Sequence, residues 1–183
     1  MKTLSLVLTL ILCSYVNAQD VSTLFEQLDP TVVTIEVTEY KIKNQKLSAS
    51  EGLGSGVIIS SDGLILTAAH VVESANEVLV KLQNETSFGA DVLSSSSAAD
   101  VALIKLRNPP KNLMFAKPGN SDTAKIGEQI LIIGAPLGLE HSLSVGYISR
   151  KMKKNMITNG EMAGFIQTDA SINHGNSGGP MFI

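Results

Sequence analysis

The sequence is poor in several residue types on which particular folds and functions depend. Its 183 residues include one cysteine, no tryptophan and three histidines. A single cysteine excludes an intramolecular disulfide framework. The histidines and carboxylates show no short-spaced ligand cluster, so the sequence indicates no metal site and no cofactor.

Charge is also scarce, and positive charge in particular. Charged residues make up 17% of the chain, with 14 Lys and Arg against 17 Asp and Glu, and aromatic residues make up 4%. Such a chain offers neither a basic surface for phosphates nor many rings for base stacking, so we expect no nucleic-acid partner. Hydrophobic residues at 44% exclude disorder, and the length suits one domain or two small packed halves.

Long hydrophobic runs are missing outside the N-terminus. Lys2 precedes a mainly apolar run at 4–12, and small residues follow up to Ala18. This pattern predicts a secretory signal peptide cleaved after Ala18, and therefore a secreted or periplasmic protein. The run is shorter than the roughly 18 residues of a membrane span, so we expect no stable membrane anchor. A lipoprotein anchor on Cys13 is the alternative, although Leu12 stands where that cleavage needs a small residue.

Residues 20–28 carry Leu24, Phe25 and Leu28 at helical spacing and run into Asp29-Pro30, which predicts one short helix. After it, alternating and β-branched segments predict strands. These strands are expected at 33–38, 57–59, 64–66, 77–82, 89–93, 101–106, 129–133, 142–149 and 164–168.

The segments between the strands predict turns and loops. The Asp-Gly pair in 60–63 predicts a hairpin, the polar stretch 39–51 a loop, and the serines at 94–97 a loop tip. The proline-containing stretch 107–119 is the expected connection between two halves. Many short strands joined by turns predict an all-β sandwich or a pair of barrels.

The most informative stretch is GNSGGP at 175–180. Glycines on both sides of a serine permit a tight turn that exposes the hydroxyl and directs amide groups outward. The amides of Gly175 and Ser177 are therefore expected to form an oxyanion hole, with Ser177 as the nucleophile.

A serine nucleophile needs a general base and a group that orients that base. His70 follows an apolar strand and small residues, and it is favoured over His141 and His174 as the base. Asp100 opens an apolar strand, where a buried carboxylate needs a partner, so it is the best candidate for the orienting group. Asp91 and Asp169 remain alternatives.

Three motifs in one order carry a family resemblance. His70, Asp100 and Ser177 occur in the contexts TAAHVV, DVALIKL and GNSGGP, and this order resembles chymotrypsin-fold serine proteases. GSGVIISSDGLILTAAHVV, GAPLGLEHSLSVGYISR and IQTDASINHGNSGGP resemble the HtrA/Deg family over nearly all of the chain after Ala18. The resemblance implies two antiparallel β-barrels, with His70 and Asp100 in the first and Ser177 in the second.

The resemblance also implies a substrate preference. Trypsin-like enzymes that select Lys or Arg have an acidic residue six positions before the nucleophile, where this chain has the uncharged Ser171. The chain in this respect resembles HtrA enzymes, which prefer small or medium aliphatic residues, with Ile172 near the pocket mouth. Ser171 and Ile172 are therefore the expected substrate-binding residues.

The expected organisation is a signal peptide at 1–18, a helix and first barrel at 19–112, and a second barrel at 113–183. The resemblance predicts two further strands after Ser177, so we expect the second barrel to be incomplete and the chain to be a fragment of a longer protein.

The implied function is a serine-type endopeptidase that hydrolyses unfolded or damaged proteins in envelope quality control. Family members often form homotrimers through N-terminal residues, which would give Phe25 a partner, although core packing of that helix is the alternative. Two other functions remain open: a non-catalytic chaperone or scaffold fragment, and another narrow-specificity bacterial protease of this fold.

Overall fold

The computed structural model describes residues 20–43, 46–158 and 161–183. The signal peptide prediction, its cleavage site and Cys13 lie outside these ranges. Within them the chain is mostly β-strand, and none of the described helices is long and apolar enough to cross a membrane.

The predicted N-terminal helix is present as α1, Val21–Leu28. Asp20 caps it, because its carboxylate accepts a hydrogen bond from the backbone N–H of Ser22 at 3.2 Å. A 3₁₀ turn at Asp29–Thr31 follows, with Pro30 at a position where its missing N–H costs no helical hydrogen bond. The helix therefore ends where the Asp-Pro pair predicted.

Six antiparallel strands form a closed barrel in the order β1-β2-β3-β6-β5-β4. Pairing of β1 with β4, in which Ile35 lies opposite Val80, closes it. The strands are β1 Val32–Lys43, β2 Lys46–Ile58, β3 Leu64–Thr67, β4 Glu77–Lys81, β5 Ser87–Ser96 and β6 Val101–Leu106. The fully buried side chains of Ile58, Ile65 and Ile104 fill its interior together with those of Ile35 and Val80. Alternate residues of each strand thus supply the core, as period-two patterning requires.

Two predicted loops are wrong. Residues 39–51, predicted as a polar loop, belong largely to the paired strands β1 and β2, where Glu39 lies opposite Ser50. This part of the hairpin is mostly exposed on both faces, so it lacks the apolar alternation that reveals a half-buried strand. The serines at 94–96 end β5 beside β6, after a register shift that follows Val92.

The Asp-Gly turn between β2 and β3 is present as predicted. Gly63 has a φ of +86°, a conformation that favours glycine, and its N–H donates to the carbonyl of Ser60 at 3.1 Å. The hairpin brings Leu66 opposite Val57 and so directs β3 back along the barrel wall toward His70.

Residues 107–128 connect the barrel to the second sheet without a strand of their own. Leu113 is buried in the core of the first barrel, and the N–H of Ala116 donates to the carbonyl of Ile58 at 2.9 Å. The domain boundary after residue 112 stays a prediction.

The second sheet has four strands in the order β10-β7-β8-β9 and does not close within the described residues. Its strands are β7 Gln129–Gly134, β8 Ser142–Thr158, β9 Glu161–Thr168 and β10 Met181–Phe182. Ile130, Ile132 and Ile148 form its core with two buried alanines. A closed barrel beside a half-barrel confirms the predicted fold class of two antiparallel barrels, the second incomplete.

Polar contacts join the barrel to the turn before β8. The buried carboxylate of Asp29 lies 2.6 Å from Nδ1 of His141. Lys81 of β4 lies 2.9 Å from Glu140 and 2.7 Å from Glu85, and these two carboxylates raise the pKa of its ammonium group. The turn is thus fixed to elements far from it in sequence.

Candidate active site

His70 lies in α2, a single helical turn at Ala69–Val72 that follows β3. Ala69, Val71 and Val72 are buried, whereas the side chain of His70 is 56% exposed. Buried apolar neighbours therefore hold the backbone in place while the imidazole faces the surface.

Asp100 lies in the turn between β5 and β6, with a φ of +50° that an aspartate tolerates better than most residues. Each of its carboxylate oxygens is 2.9 Å from Nδ1 of His70. The N–H of His70 also donates to Oδ1 at 3.0 Å. An imidazole whose Nδ1–H donates to this carboxylate carries its free lone pair on Nε2, which is the tautomer that a general base requires.

The sequence argument expected a buried carboxylate, and this detail is wrong, because the side chain of Asp100 is 52% exposed. Desolvation has the largest single effect on its pKa and opposes ionisation. Hydrogen bonds from the backbone and ring of His70, the charge of His70 and a hydrogen bond from the backbone of Ala69 together outweigh it and lower the pKa below the ordinary 3.8. Asp100 is therefore ionised beside the imidazole at neutral pH.

The loop that carries Ser177 needs its glycines. Gly175 and Gly178 have φ values of +102° and +81°. A Cβ on Gly175 would lie 2.0 Å from the carbonyl oxygen of Ala135, and one on Gly178 would lie 2.2 Å from Oγ1 of Thr67. Both substitutions are excluded by contact as well as by backbone conformation.

A cavity of about 290 Å³ brings the two halves of the site together. Its walls include His70 of the first barrel and His174, Gly175 and Ser177 of the loop after β9. The β1–β2 hairpin also lines it, with residues 50–53. His70 and Ser177 thus line one cavity, although 107 positions of sequence separate residues 70 and 177.

The loop also aims an amide outward. The carbonyl of Asn176 accepts a hydrogen bond from the N–H of Gly179 at 2.9 Å. In a trans peptide the N–H of Ser177 then points to the opposite side. No acceptor in the described part of the chain pairs with this N–H or with that of Gly175. These are the two amides that the sequence predicts as oxyanion donors.

Other sequence candidates have different surroundings. Asp91 is paired with Arg107, whose guanidinium lowers the pKa of this carboxyl group. Asp169 accepts a hydrogen bond from the N–H of Tyr147 at 2.6 Å. His141 binds Asp29. Of the described histidines, His70 is the one beside Asp100.

The predicted substrate-binding pair lies apart from this cavity. Ser171 and Ile172 are exposed in the described segment that leads into the catalytic loop, and neither lines the 290 Å³ cavity.

Sequence reasoning missed Ser55, which is hydrogen-bonded to the loop that carries Ser177. It is fully buried on β2. A signal existed: a polar residue between Gly54 and Gly56, in front of an apolar run, indicates close approach of another backbone.

Comparison with known proteins gives consistent matches. The trypsin-like peptidase domain family matches residues 54–182. A protein named probable periplasmic serine endoprotease DegP-like, from Pseudomonas savastanoi pv. phaseolicola, is 44% identical over 140 residues, which are 76% of this chain and 28% of that protein. The magnetosome formation protease MamE of Paramagnetospirillum magneticum is 39% identical over 76% of this chain and 20% of its own length.

Solved structures agree with the sequence matches. The HtrA-type protease AlgW with a tripeptide superposes with a TM-score of 0.76 at 32% identity, covering 87% of this chain and 49% of AlgW. The chain therefore spans about half of that structure and a smaller share of the curated relatives that it matches.

Proposed function

Because the chain belongs to the trypsin-like peptidase family, and within it to the HtrA/Deg-like serine proteases, we propose that the protein is a serine endopeptidase. The observation that carries the proposal is the pair of His70 and Asp100 at a cavity that Ser177 also lines. A base with an ionised orienting group beside a loop serine is what acyl transfer requires.

In the proposed mechanism, Oγ of Ser177 attacks the carbonyl carbon of the scissile peptide bond while Nε2 of His70 takes its proton. Asp100 holds the imidazole and stabilises its charged form. The N–H groups of Gly175 and Ser177 stabilise the oxyanion of the tetrahedral intermediate. His70 then gives the proton to the leaving amine, and water hydrolyses the acyl-enzyme by the reverse sequence of proton transfers.

The proposed substrates are unfolded or damaged polypeptides, handled in envelope quality control. Relatives named periplasmic endoproteases support this role, as does the predicted signal peptide. Ser171 and Ile172, exposed before the catalytic loop, are proposed to contact substrate, and the uncharged Ser171 favours aliphatic over basic side chains. The half-buried face of α1, with Leu24 and Phe25, is a proposed contact of a homotrimer.

The test is covalent labelling followed by proteolysis, using protein expressed from its complete coding region. We expect a fluorophosphonate to modify Ser177, and we expect His70→Ala and Ser177→Ala to abolish both labelling and the cleavage of unfolded casein. Ser48→Ala, an exposed serine on β2, is the matched control and should label like the wild type. Labelling that survives Ser177→Ala, or a folded wild type that neither labels nor cleaves, would refute the proposal.

A further inference from the structure

Ser55 is a fully buried serine whose polar groups all have partners. It lies on β2 with 0% of its surface exposed. Its backbone carbonyl accepts a hydrogen bond from Oγ1 of Thr67 at 2.7 Å, and its hydroxyl accepts one from the N–H of Ala135 at 3.0 Å. Thr67 ends the strand that leads to His70, so Ser55 is connected to the first half of the site.

Ser55 also donates twice to the loop of the second half. Its Oγ donates to the carbonyl of Gly175 at 2.6 Å, and its N–H donates to the carbonyl of Ser177 at 2.8 Å. These carbonyls belong to the first and the third of three consecutive peptide groups. The peptide group between them carries the N–H of Ser177.

The first of these peptide groups is held at both ends. Its carbonyl, on Gly175, accepts the Ser55 hydroxyl, and its N–H, on Asn176, donates to the carbonyl of Asn173 at 3.1 Å. Rotation of this group would break both hydrogen bonds and leave buried polar atoms unpaired, which is costly. Its orientation is set by ψ of Gly175 and φ of Asn176, so holding it fixes one side of the peptide group that carries the Ser177 N–H.

Of the two hydrogen bonds that Ser55 donates to the loop, the one from its hydroxyl can be removed by a substitution that leaves the backbone unchanged. The two partners of the hydroxyl, the N–H of Ala135 and the carbonyl of Gly175, lie on segments already in contact, because a Cβ on Gly175 would meet the carbonyl of Ala135. Removing the hydroxyl therefore frees the carbonyl of Gly175 while leaving the packing around it in place.

We infer that Ser55 is a positioning residue for the oxyanion hole, an inference that rests on the proposed peptidase function. Through Gly175 and Ser177 it holds the peptide groups on either side of the Ser177 amide, and so aims that amide at the developing oxyanion. It acts through the loop and touches no reacting atom. Its contribution should therefore appear in the transition state and not in the binding of substrate.

The test compares Ser55→Ala with wild type on a peptide substrate that has valine before the scissile bond. We expect kcat to fall about 100-fold with KM within about threefold of wild type, since loss of one oxyanion donor costs about 100- to 1,000-fold. The affinity of a matching peptide boronate, which resembles the tetrahedral intermediate, should fall by the same factor as kcat/KM. Ser55→Cys retains a weak donor, and its kcat should lie between the two.

The matched control is Thr31→Val. It removes another buried hydroxyl, which donates to the carbonyl of Leu28 at 2.6 Å and not to the loop that carries Ser177. We expect it to lower stability but to leave kcat and boronate affinity unchanged. The inference is overturned if Ser55→Ala and Ser55→Cys change kcat no more than Thr31→Val does, or if KM alone rises. A wild type that neither cleaves nor labels would overturn the proposed function, and this inference with it.

Discussion

At the scale of single residues, one half-exposed carboxylate controls the orientation of the imidazole. Asp100 binds Nδ1 and the backbone N–H of His70 at once, so both the ring and the helical turn that carries it are held. A solvent-exposed ion pair contributes little to stability. This pair therefore serves to orient the imidazole of His70 and to select its tautomer.

We predict that Asp100→Asn lowers kcat by about 10⁴-fold at neutral pH while the protein stays folded. The carboxylate has two oxygens that can accept the Nδ1–H, whereas the amide has one oxygen that accepts and one NH₂ group that only donates. The imidazole therefore loses its fixed tautomer. Steady-state cleavage of the valine peptide measures the effect. A reduction of less than tenfold would contradict the role assigned to Asp100.

The same variant provides a test against pH. Because the pKa of Asp100 is lowered by folding, its stabilising contribution is fully present above the ordinary value of 3.8 and is lost as pH falls through the lower folded value. The difference in unfolding free energy between wild type and Asp100→Asn should thus shrink as the pH falls below 3.8. Urea denaturation at a series of pH values measures it; a difference that does not change with pH would exclude the hydrogen bonds as its source.

Sequence reasoning reached His70, Asp100 and Ser177 because each has local neighbours that mark its chemistry. Ser55 could not be identified from the sequence because its hydrogen-bond partners are distant in the chain. Gly175, for example, lies 120 positions away.

At the scale of elements, β1 changes its environment along its length. Ile35, near its start, is fully buried inside the barrel, whereas Ile42, near its end, is 80% exposed. The predicted strand covered only the buried half. Alternation of apolar and polar residues reveals a strand only where one of its faces is buried. A hairpin that faces solvent on both sides shows no such alternation, although its backbone pairs regularly.

We predict that Ile35→Ala lowers the free energy of unfolding by about 2 to 5 kcal/mol, because it leaves a cavity in the closed barrel. Ile42→Ala, the matched substitution on the same strand, should change it by about 1 kcal/mol or less. Urea denaturation monitored by circular dichroism measures both values. Equal effects at the two positions would contradict the division of β1 into a core half and an exposed half.

At the scale of the whole molecule, the barrel and the second sheet are joined by polar contacts as well as by chain connectivity. The side chains of Asp29 and His141 are 7% and 19% exposed, so their contact is largely withdrawn from water. A buried carboxylate without a partner is costly. The contact thus couples the segment after α1 to the turn between β7 and β8.

We predict that Asp29→Ala lowers the free energy of unfolding by about 3 kcal/mol, because it leaves the ring of His141 without its buried partner. The double variant with His141→Ala should lose less than the sum of the single variants. Glu39→Ala, which breaks an exposed ion pair with Lys41, is the control and should cost about 1 kcal/mol or less. Strictly additive effects of the Asp29 and His141 substitutions would show that the pair makes no energetic coupling.

The family resemblance carried by the motifs predicted a closed barrel beside an incomplete one, whereas the strand spacing alone predicted a sandwich or a pair of barrels. Neither could predict which side chains join them. The sequence marks Asp29 only as the end of a helix and His141 only as a less favoured candidate for the base, since contacts between distant segments leave no local pattern in composition or spacing.

The distance in sequence between the two halves of the site has a consequence for the order of events during synthesis. The closed barrel, with His70 and Asp100, is complete at Leu106, whereas Ser177 leaves the ribosome some seventy residues later. Until then the growing chain has the proposed base but neither the proposed nucleophile nor the proposed oxyanion donors. Contacts of such long sequence separation also form late in folding, because loop closure must come first. Under the proposed function, a chain built in this order stays inactive until the loop that carries Ser177 has folded against the barrel.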